Sequence, residues 1–497
     1  MTTETAPSAT TAATTDRARW AALVVLCVGM LMIVLDVTVV NVALPSIQSD
    51  LGFDQSSLAW VVNAYLIAFG GLLLLAGRLG DLVSRRGVFL AGLTVFTLAS
   101  AACGLAQSQE MLVAARFVQG IGGAMTSAVI LGMIVTMFPE PAEQMKAIGV
   151  YGFVASAGGS AGLLLGGVLT QSINWHWIFF VNVPIAIVTA ILAVRLLEKD
   201  RGPGFAGGAD VLGALLVTSS LMLLVFTIVD PAAKDGWGAG STLAYGAASL
   251  VLLAAFLVRE ATARSPLIPL RIFRSRNVSG ANLIQVVSVA GMFGMFFMGA
   301  LYLQHVLGYD ALQTGVAFLP ATVIMGVLSL GYSHKLVMRF GAKATMMPAL
   351  GLIAAALALF TQAPVAGDYT MHVLPVMVLL GIGAGLAFPA LMTLAMSGVQ
   401  PQEAGLASGL VNTTAQVGGA LGLAVLATLA STRTGDLSAA GESLDTALVG
   451  GYHLAFAIAA MLMAVAIVVA AVVLESDRPK ARERALATPE PAFVQTR

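Results

Sequence analysis

Fourteen times along its 497 residues the chain stays apolar for about the twenty residues that carry a helix across a bilayer. No water in the hydrocarbon satisfies backbone N–H and C=O groups, so a spanning chain must close its hydrogen bonds internally, as helices or as a closed barrel. These runs are continuous and lack the polar alternation of ten-residue barrel strands, so they read as helices. They fall at 20–43, 56–76, 88–106, 111–136, 145–170, 176–197, 211–229, 241–258, 280–304, 312–333, 343–360, 371–396, 404–430 and 450–474. Only 10% of the residues are charged, against about 25% in a soluble domain. The expected fold class is an all-α polytopic membrane protein with fourteen transmembrane helices.

An even number of spans puts both ends on one side, and the basic residues say which. With the amino terminus inside, cytoplasmic loops and tails hold 22 of the 25 Lys and Arg, leaving Arg116 within a span and Lys234 and Arg433 outside. The chain is therefore expected in the cytoplasmic membrane with both termini cytoplasmic. The first apolar run is too long for the core of a signal peptide and stays as a span. Charged, Gly/Pro-rich breaks then divide the chain into a disordered N-terminal tail (1–19), a six-helix bundle (20–197), a two-helix insert with its linkers (198–279), a second six-helix bundle (280–474) and a C-terminal tail (475–497). A weak repeat agrees, because the segments 77–87 and 331–341 follow the second span of each half.

One residue in the first span is expensive. Leu35-Asp36-Val37-Thr38-Val39-Val40-Asn41-Val42-Ala43-Leu44-Pro45 sets a carboxylate within apolar surroundings, at a cost on the order of 3 kcal/mol if it stays ionised there, so Asp36 marks an ion or substrate path unless it is a structural tie. Span 4 carries the matching cation in Arg116-Phe117-Val118-Gln119-Gly120. Counted down the helices, the two lie at depths that differ by less than one turn, so neighbouring spans would let Asp36 and Arg116 pair. Such a pair either fixes helix register or works as a proton-coupling site.

Other residues carry weaker signals. Gly77, Gly80, Asp81, Arg85 and Arg86 combine close-packing glycines with a carboxylate four residues before an arginine. Gly158, Gly162 and Gly166, with Gly167, form a small-residue face that admits a neighbouring backbone. Asn63, Tyr65, Gln119, Gln285, Gln304, Asn412 and Gln416 are polar positions that either glue helices or line a substrate path, and the Met and Phe residues from Met292 to Met298 would suit a permissive pocket. Trp175, His176 and Trp177 suit a membrane interface. Cys27 and Cys103 lack disulfide, redox or metal spacing. No nucleophile–base set, metal-ligand spacing or Walker loop is present, so neither catalysis nor ATP hydrolysis is expected.

The string from Gly77 to Gly87 resembles the signature loop between helices 2 and 3 of the major facilitator superfamily. Together with Leu35 to Pro45, the span-5 glycines, Asn174 to Pro184 and the fourteen spans, it is similar to the EmrB/QacA-like drug/proton antiporters, from about Trp20 to Leu474. That resemblance implies two six-helix bundles plus two inserted helices and proton-driven efflux of antibiotics, toxic compounds or secondary metabolites. It gives Arg116 a proton-relay role and makes Asp81 with its basic partners a latch between the halves. Leu163 stands where the family usually has proline. The implied partners are the bilayer, protons and an amphipathic or cationic small molecule, with no cofactor and no nucleic acid, acting as a monomer. Proton-coupled uptake or facilitated transport of a metabolite shares the fold, and a scaffold or sensor role is a third reading.

Overall fold

The structure is a computed structural model that describes residues 9–54, 56–202, 204, 208–397 and 404–475. Among these residues fourteen helices are long and apolar enough to span a membrane. The first six are α1 (Arg17–Leu51), α2 (Ser57–Leu82), α3 (Arg85–Gly104), α4 (Gln109–Met137), α5 (Lys146–Ser172) and α6 (Trp177–Leu196). Two more follow, α7 (Val211–Lys234) and α8 (Gly240–Thr262). The last six are α9 (Arg276–Val306), α10 (Ala311–Gly331), α11 (Ala342–Phe360), α12 (Tyr369–Met396), α13 (Ala407–Ala439) and α14 (Leu444–Val473). No strand occurs among the described residues.

The first helix already begins at Ala9, so residues 9–19 of the expected disordered tail are helical. The alanines there have the highest helix propensity, and they extend a helix that the bilayer has already nucleated. Residues 1–8, and all but the first residue of the expected C-terminal tail, lie outside the described residues. Short polar side chains set where six of these helices start. Ser84, Ser108, Asp210, Ser275 and Ser443 each accept a backbone N–H of the first turn, and Asp310 with Gln313 forms a reciprocal capping box. Gly52 closes α1 at φ +70°, a conformation costly for any residue with a Cβ.

Two groups of six helices pack in the same way. In the first group α1 packs on α5 and α6, α2 on α4, and α3 on α4 and α6; in the second, α9 packs on α13 and α14, α10 on α12, and α11 on α12 and α14. Two seams join the groups, α2 against α13 and α5 against α10. Helices α7 and α8 pair with each other, and α7 lies along the α2/α13 seam.

Small residues make the seams possible. Gly70 leaves room for Gln416, and a methyl on Gly167 would lie 2.8 Å from the Ala311 carbonyl oxygen. A methyl on Gly315 would lie 2.5 Å from the Leu163 carbonyl oxygen, so α10 reaches the backbone of α5 where the missing proline would have stood. Along α5 the closeness runs one way: Gly149 and Gly152 have nothing near them, whereas Gly158, Gly162 and Gly166 press on α1 and Gly167 on α10. Along α10, Gly315 is tight and Gly326 and Gly331 are open. The close α5/α10 contacts at Gly167 and Gly315 therefore lie at the end that also carries Asp50, Gly104 and His176. At that end Gln304 of α9 donates to the Val42 carbonyl of α1 at 2.9 Å, a third tie between the groups.

Candidate functional site

Asp36 and Arg116 meet in the middle of the first group, with side-chain exposures of 0% and 1%. The Arg116 guanidinium donates through Nη1 to Asp36 Oδ2 at 2.6 Å and to Gln119 Oε1 at 2.7 Å, and through Nε to the Val61 carbonyl of α2 at 2.9 Å. Asp36 Oδ1 accepts from Gln119 Nε2 at 2.6 Å and from Asn182 Nδ2 of α6 at 3.2 Å. Ser100 of α3 accepts from Gln119 and Asn182 and donates to the Phe179 carbonyl. Five helices thus contribute to a closed polar knot around one carboxylate.

The local sequence explains the geometry. Arg116 and Gln119 are three apart on α4 and share a face, so both reach toward α1 from one side. The guanidinium also lies 4.5 Å from the centroid of the Tyr65 ring and 5.7 Å from that of Phe179, which cover it with apolar and quadrupolar surface. A carboxylate and a guanidinium this deep are tolerable because each other's charge and four hydrogen bonds replace water. Protonating Asp36 would remove the charge attraction while leaving Arg116 its Val61 and Gln119 acceptors, so the knot can exist with or without a proton on the acid.

Gln119 and Tyr65, which the sequence left as helix glue or path lining, are fully buried parts of this knot. The spacing that flags a polar residue in a span does not say which neighbour it faces. Asn63 is also fully buried, with neither amide atom partnered among the described residues. Gln285 is buried on α9, Asn412 donates to its own helix at Ser408, Gln416 lies in the α2/α13 seam and Gln304 ties α9 to α1. The expected pairing of Asp36 with Arg116 is present. The sequence reading assigned no part to Ser100 or Asn182, although an asparagine in the apolar run of α6 is a signal that could have been used.

The loop from Gly77 to Gly87 has the expected Asp81–Arg85 pair at 2.9 Å, and a methyl on Gly80 would overlap Val129 of α4. Arg85 donates to the Gly132 carbonyl of α4 and Arg86 to the Val194 carbonyl of α6, while Arg78 donates to the Gly208 carbonyl in the linker before α7 at 3.3 Å. The linker after α6 completes the loop. Asp200 accepts from Ser84 Oγ and the Arg85 N–H, each at 2.6 Å, and from the Arg86 N–H at 3.3 Å. Partial burial alone would raise the Asp200 carboxyl, but these bonds outweigh it and hold the group below its ordinary value. Among the described residues no cluster of three His, Cys, Asp or Glu could hold a metal ion.

The sequence profile of the Major Facilitator Superfamily matches residues 26–423. The puromycin resistance protein pur8 of Streptomyces alboniger is 38% identical, covering 96% of this chain and 95% of its own. The cephamycin export protein CmcT of Amycolatopsis lactamdurans is 42% identical over 83% of this chain and 85% of its own. Among solved structures, a bacterial homolog of the human lysosomal transporter Spinster, inward-facing and unoccupied, superposes with a TM-score of 0.67 at 17% identity, covering 96% of this chain and 99% of that one. At that identity the likeness is one of fold.

Proposed function

The chain belongs to the major facilitator superfamily, and from that membership we propose that it exports antibiotics, other toxic compounds or secondary metabolites across the cytoplasmic membrane in exchange for protons. Its relatives are resistance and export proteins, which supports efflux. The observation that carries proton coupling is the fully buried Asp36–Arg116 pair within its knot of amides.

Basic residues gather at the Arg85 end, so that end is cytoplasmic and the Asp50 end faces outward. The close α5/α10 contacts then lie on the outer side. One face of α1 holds Asp36, and another presses Leu31, Val34, Thr38 and Val39 onto the glycines of α5, which in turn meets α10. A change in the ion pair therefore acts on the helix that sets the gate. A proton arriving from outside neutralises Asp36, loosens α1 from α4 and favours closure around the other side; its release inward restores the pair. Each charge moved inward is worth about 2.3 kcal/mol per 100 mV, and a tenfold gradient of cargo costs about 1.4 kcal/mol, so one proton suffices. In the opposite gate state, Gly77 to Gly87 and Asp200 form the inner latch.

The test uses everted membrane vesicles from a pump-deficient host and puromycin or cephamycin, the compounds that the relatives' names give. Wild type accumulates cargo when the lumen is acidic and stops when an uncoupler is added, whereas Asp36→Asn at equal expression does not accumulate it. Undiminished acid-driven accumulation by Asp36→Asn would remove the carboxylate from the mechanism.

A further inference from the structure

The outward face of the first group holds a pocket of about 480 Å³ between the ends of α1 and α3 and the start of α6, bounded by Asp50, Gly104, Leu105, His176, Trp177 and Phe180. Building on the coupling reading above, we propose that this pocket is a water port through which protons from outside reach Asp36. It lies inside one half and bypasses the seam between the halves, so cargo and proton use different doors.

Three features join the pocket to the buried knot. Its floor is Gly104 against Phe180, and a methyl on Gly104 would lie 2.7 Å from that ring. Ser100, a member of the knot, is four residues or about 6 Å of helix below Gly104, and Asn182 is two residues beyond Phe180. Between floor and knot, Cys103 Sγ contacts Gln119 Oε1 at 3.5 Å. The knot also has an acceptor aimed at no protein donor: Asn182 Oδ1 is buried and unpartnered among the described residues, although Nδ2 of the same amide serves Asp36 and Ser100. A buried acceptor without a donor costs about 1–3 kcal/mol, and a water entering from the pocket removes that cost and stands next to the carboxylate.

The mouth sets a carboxylate beside an imidazole. Asp50 Oδ2 accepts the Trp175 indole N–H at 2.9 Å and lies 3.8 Å from His176 Nε2, while the His176 ring stacks on Trp175. His176 Nδ1 is buried and finds no described protein partner. Asp50 and His176 are the titratable groups on the pocket wall. A hydronium at the mouth passes its proton along hydrogen-bonded water: each oxygen gains one O–H bond and gives up another, the last water protonates Asp36, and neutral water remains at the mouth.

Cys103 reports whether water follows this path. In intact cells carrying Cys27→Ala, so that Cys103 is the sole thiol, silver ion, a thiol-binding cation no wider than a water molecule, is added outside in chloride-free medium, and unreacted thiol is counted after denaturation. We expect Cys103 to react from outside, and Leu105→Trp, which fills the pocket from an exposed position, to slow the reaction by about tenfold or more. Gln107→Trp is a second filler should the first misfold. Absence of reaction from outside, or equal rates with the pocket filled, would overturn the port. Those results need no cargo and no proton coupling, so they separate from the vesicle test: a silent Cys103 leaves Asp36 coupling standing, and an active Asp36→Asn carrier refutes coupling whatever Cys103 does.

Discussion

Helices α1 to α6 and α9 to α14 share one packing plan and differ in what they bury. In the first group, α4 brings Arg116 and Gln119 onto Asp36. Its counterpart α12 packs on α10 and α11 as α4 packs on α2 and α3, yet it has no charged residue from Leu374 to Met396. The second group is held by rings and methyls instead. Phe360 stacks on Phe456 at 4.4 Å, Tyr302 meets Phe360 edge-on, and Met292, Met295, Phe297 and Met298 of α9 are all buried. On α9, Asn282 accepts from Thr414 of α13 at 2.9 Å. The loops differ likewise. Gly77 to Gly87 is stapled by Asp200, whereas the corresponding segment forms a short helix, Ser333–Phe340, with Met338 and Phe340 exposed. Equal architecture with unequal chemistry teaches that one packing plan can enclose a buried ion pair in one group and uncharged contacts in the other.

The contrast can be broken most forcefully at the ion pair. Arg116→Ala leaves Asp36 buried with its charge uncompensated, and we expect a loss of about 3–5 kcal/mol, read as a large fall in melting temperature of the purified protein. A fall no larger than that of a second-group polar substitution would erase the distinction between the halves. Next comes the seam. Gly315→Val forces α10 off the Leu163 backbone at a cost of about 1–3 kcal/mol and should part the two helices at the Asp50 end, seen as a changed distance between spin labels on α5 and α10. Gly326→Ala, in open space on the same helix, should instead gain up to about 1 kcal/mol.

Smaller effects sharpen the comparison. Asn282→Ala removes the acceptor of Thr414 and should cost about 1 kcal/mol by thermal melting, well below the Arg116 effect. Asp200→Ala should cost under about 1 kcal/mol, because the site is exposed and screened. Its signature lies in pH. A carboxyl held low in the folded chain contributes fully above its unfolded value of about 3.9 and loses that contribution as pH falls through the folded value. The stability difference between wild type and Asp200→Ala should therefore be flat at neutral pH, begin to fall below about pH 4 and vanish only once pH has passed the lower folded value. A difference that persists in acid would show that the linker packs for some other reason.

Much of this molecule could be read from its residues. Hydropathy located the fourteen spans because a bilayer forces every backbone group into a helix of one length, and local sequence then carries the whole signal. Asp36 and Arg116 could be paired in advance because charges in such spans are rare and must find each other. The fates of Asn63, Tyr65, Gln119 and Asn182 could not be read in the same way. An uncharged polar residue in a span is cheap enough to face a neighbour, a cavity or its own backbone, so its sequence position leaves its direction open.

The chain by itself determined that it spans a membrane many times, which helices are small-faced, and that one acid must be compensated within the bilayer. Only the tertiary structure decided that α6 and α3 join that acid through Asn182 and Ser100, that the Gly77 to Gly87 segment is held by Asp200, and that the close α5/α10 contacts gather at the Asp50 end. The physical reason is range. Transfer from water to lipid acts on each segment alone, whereas a hydrogen bond or a backbone contact between helices depends on how they turn toward each other, which no single segment encodes.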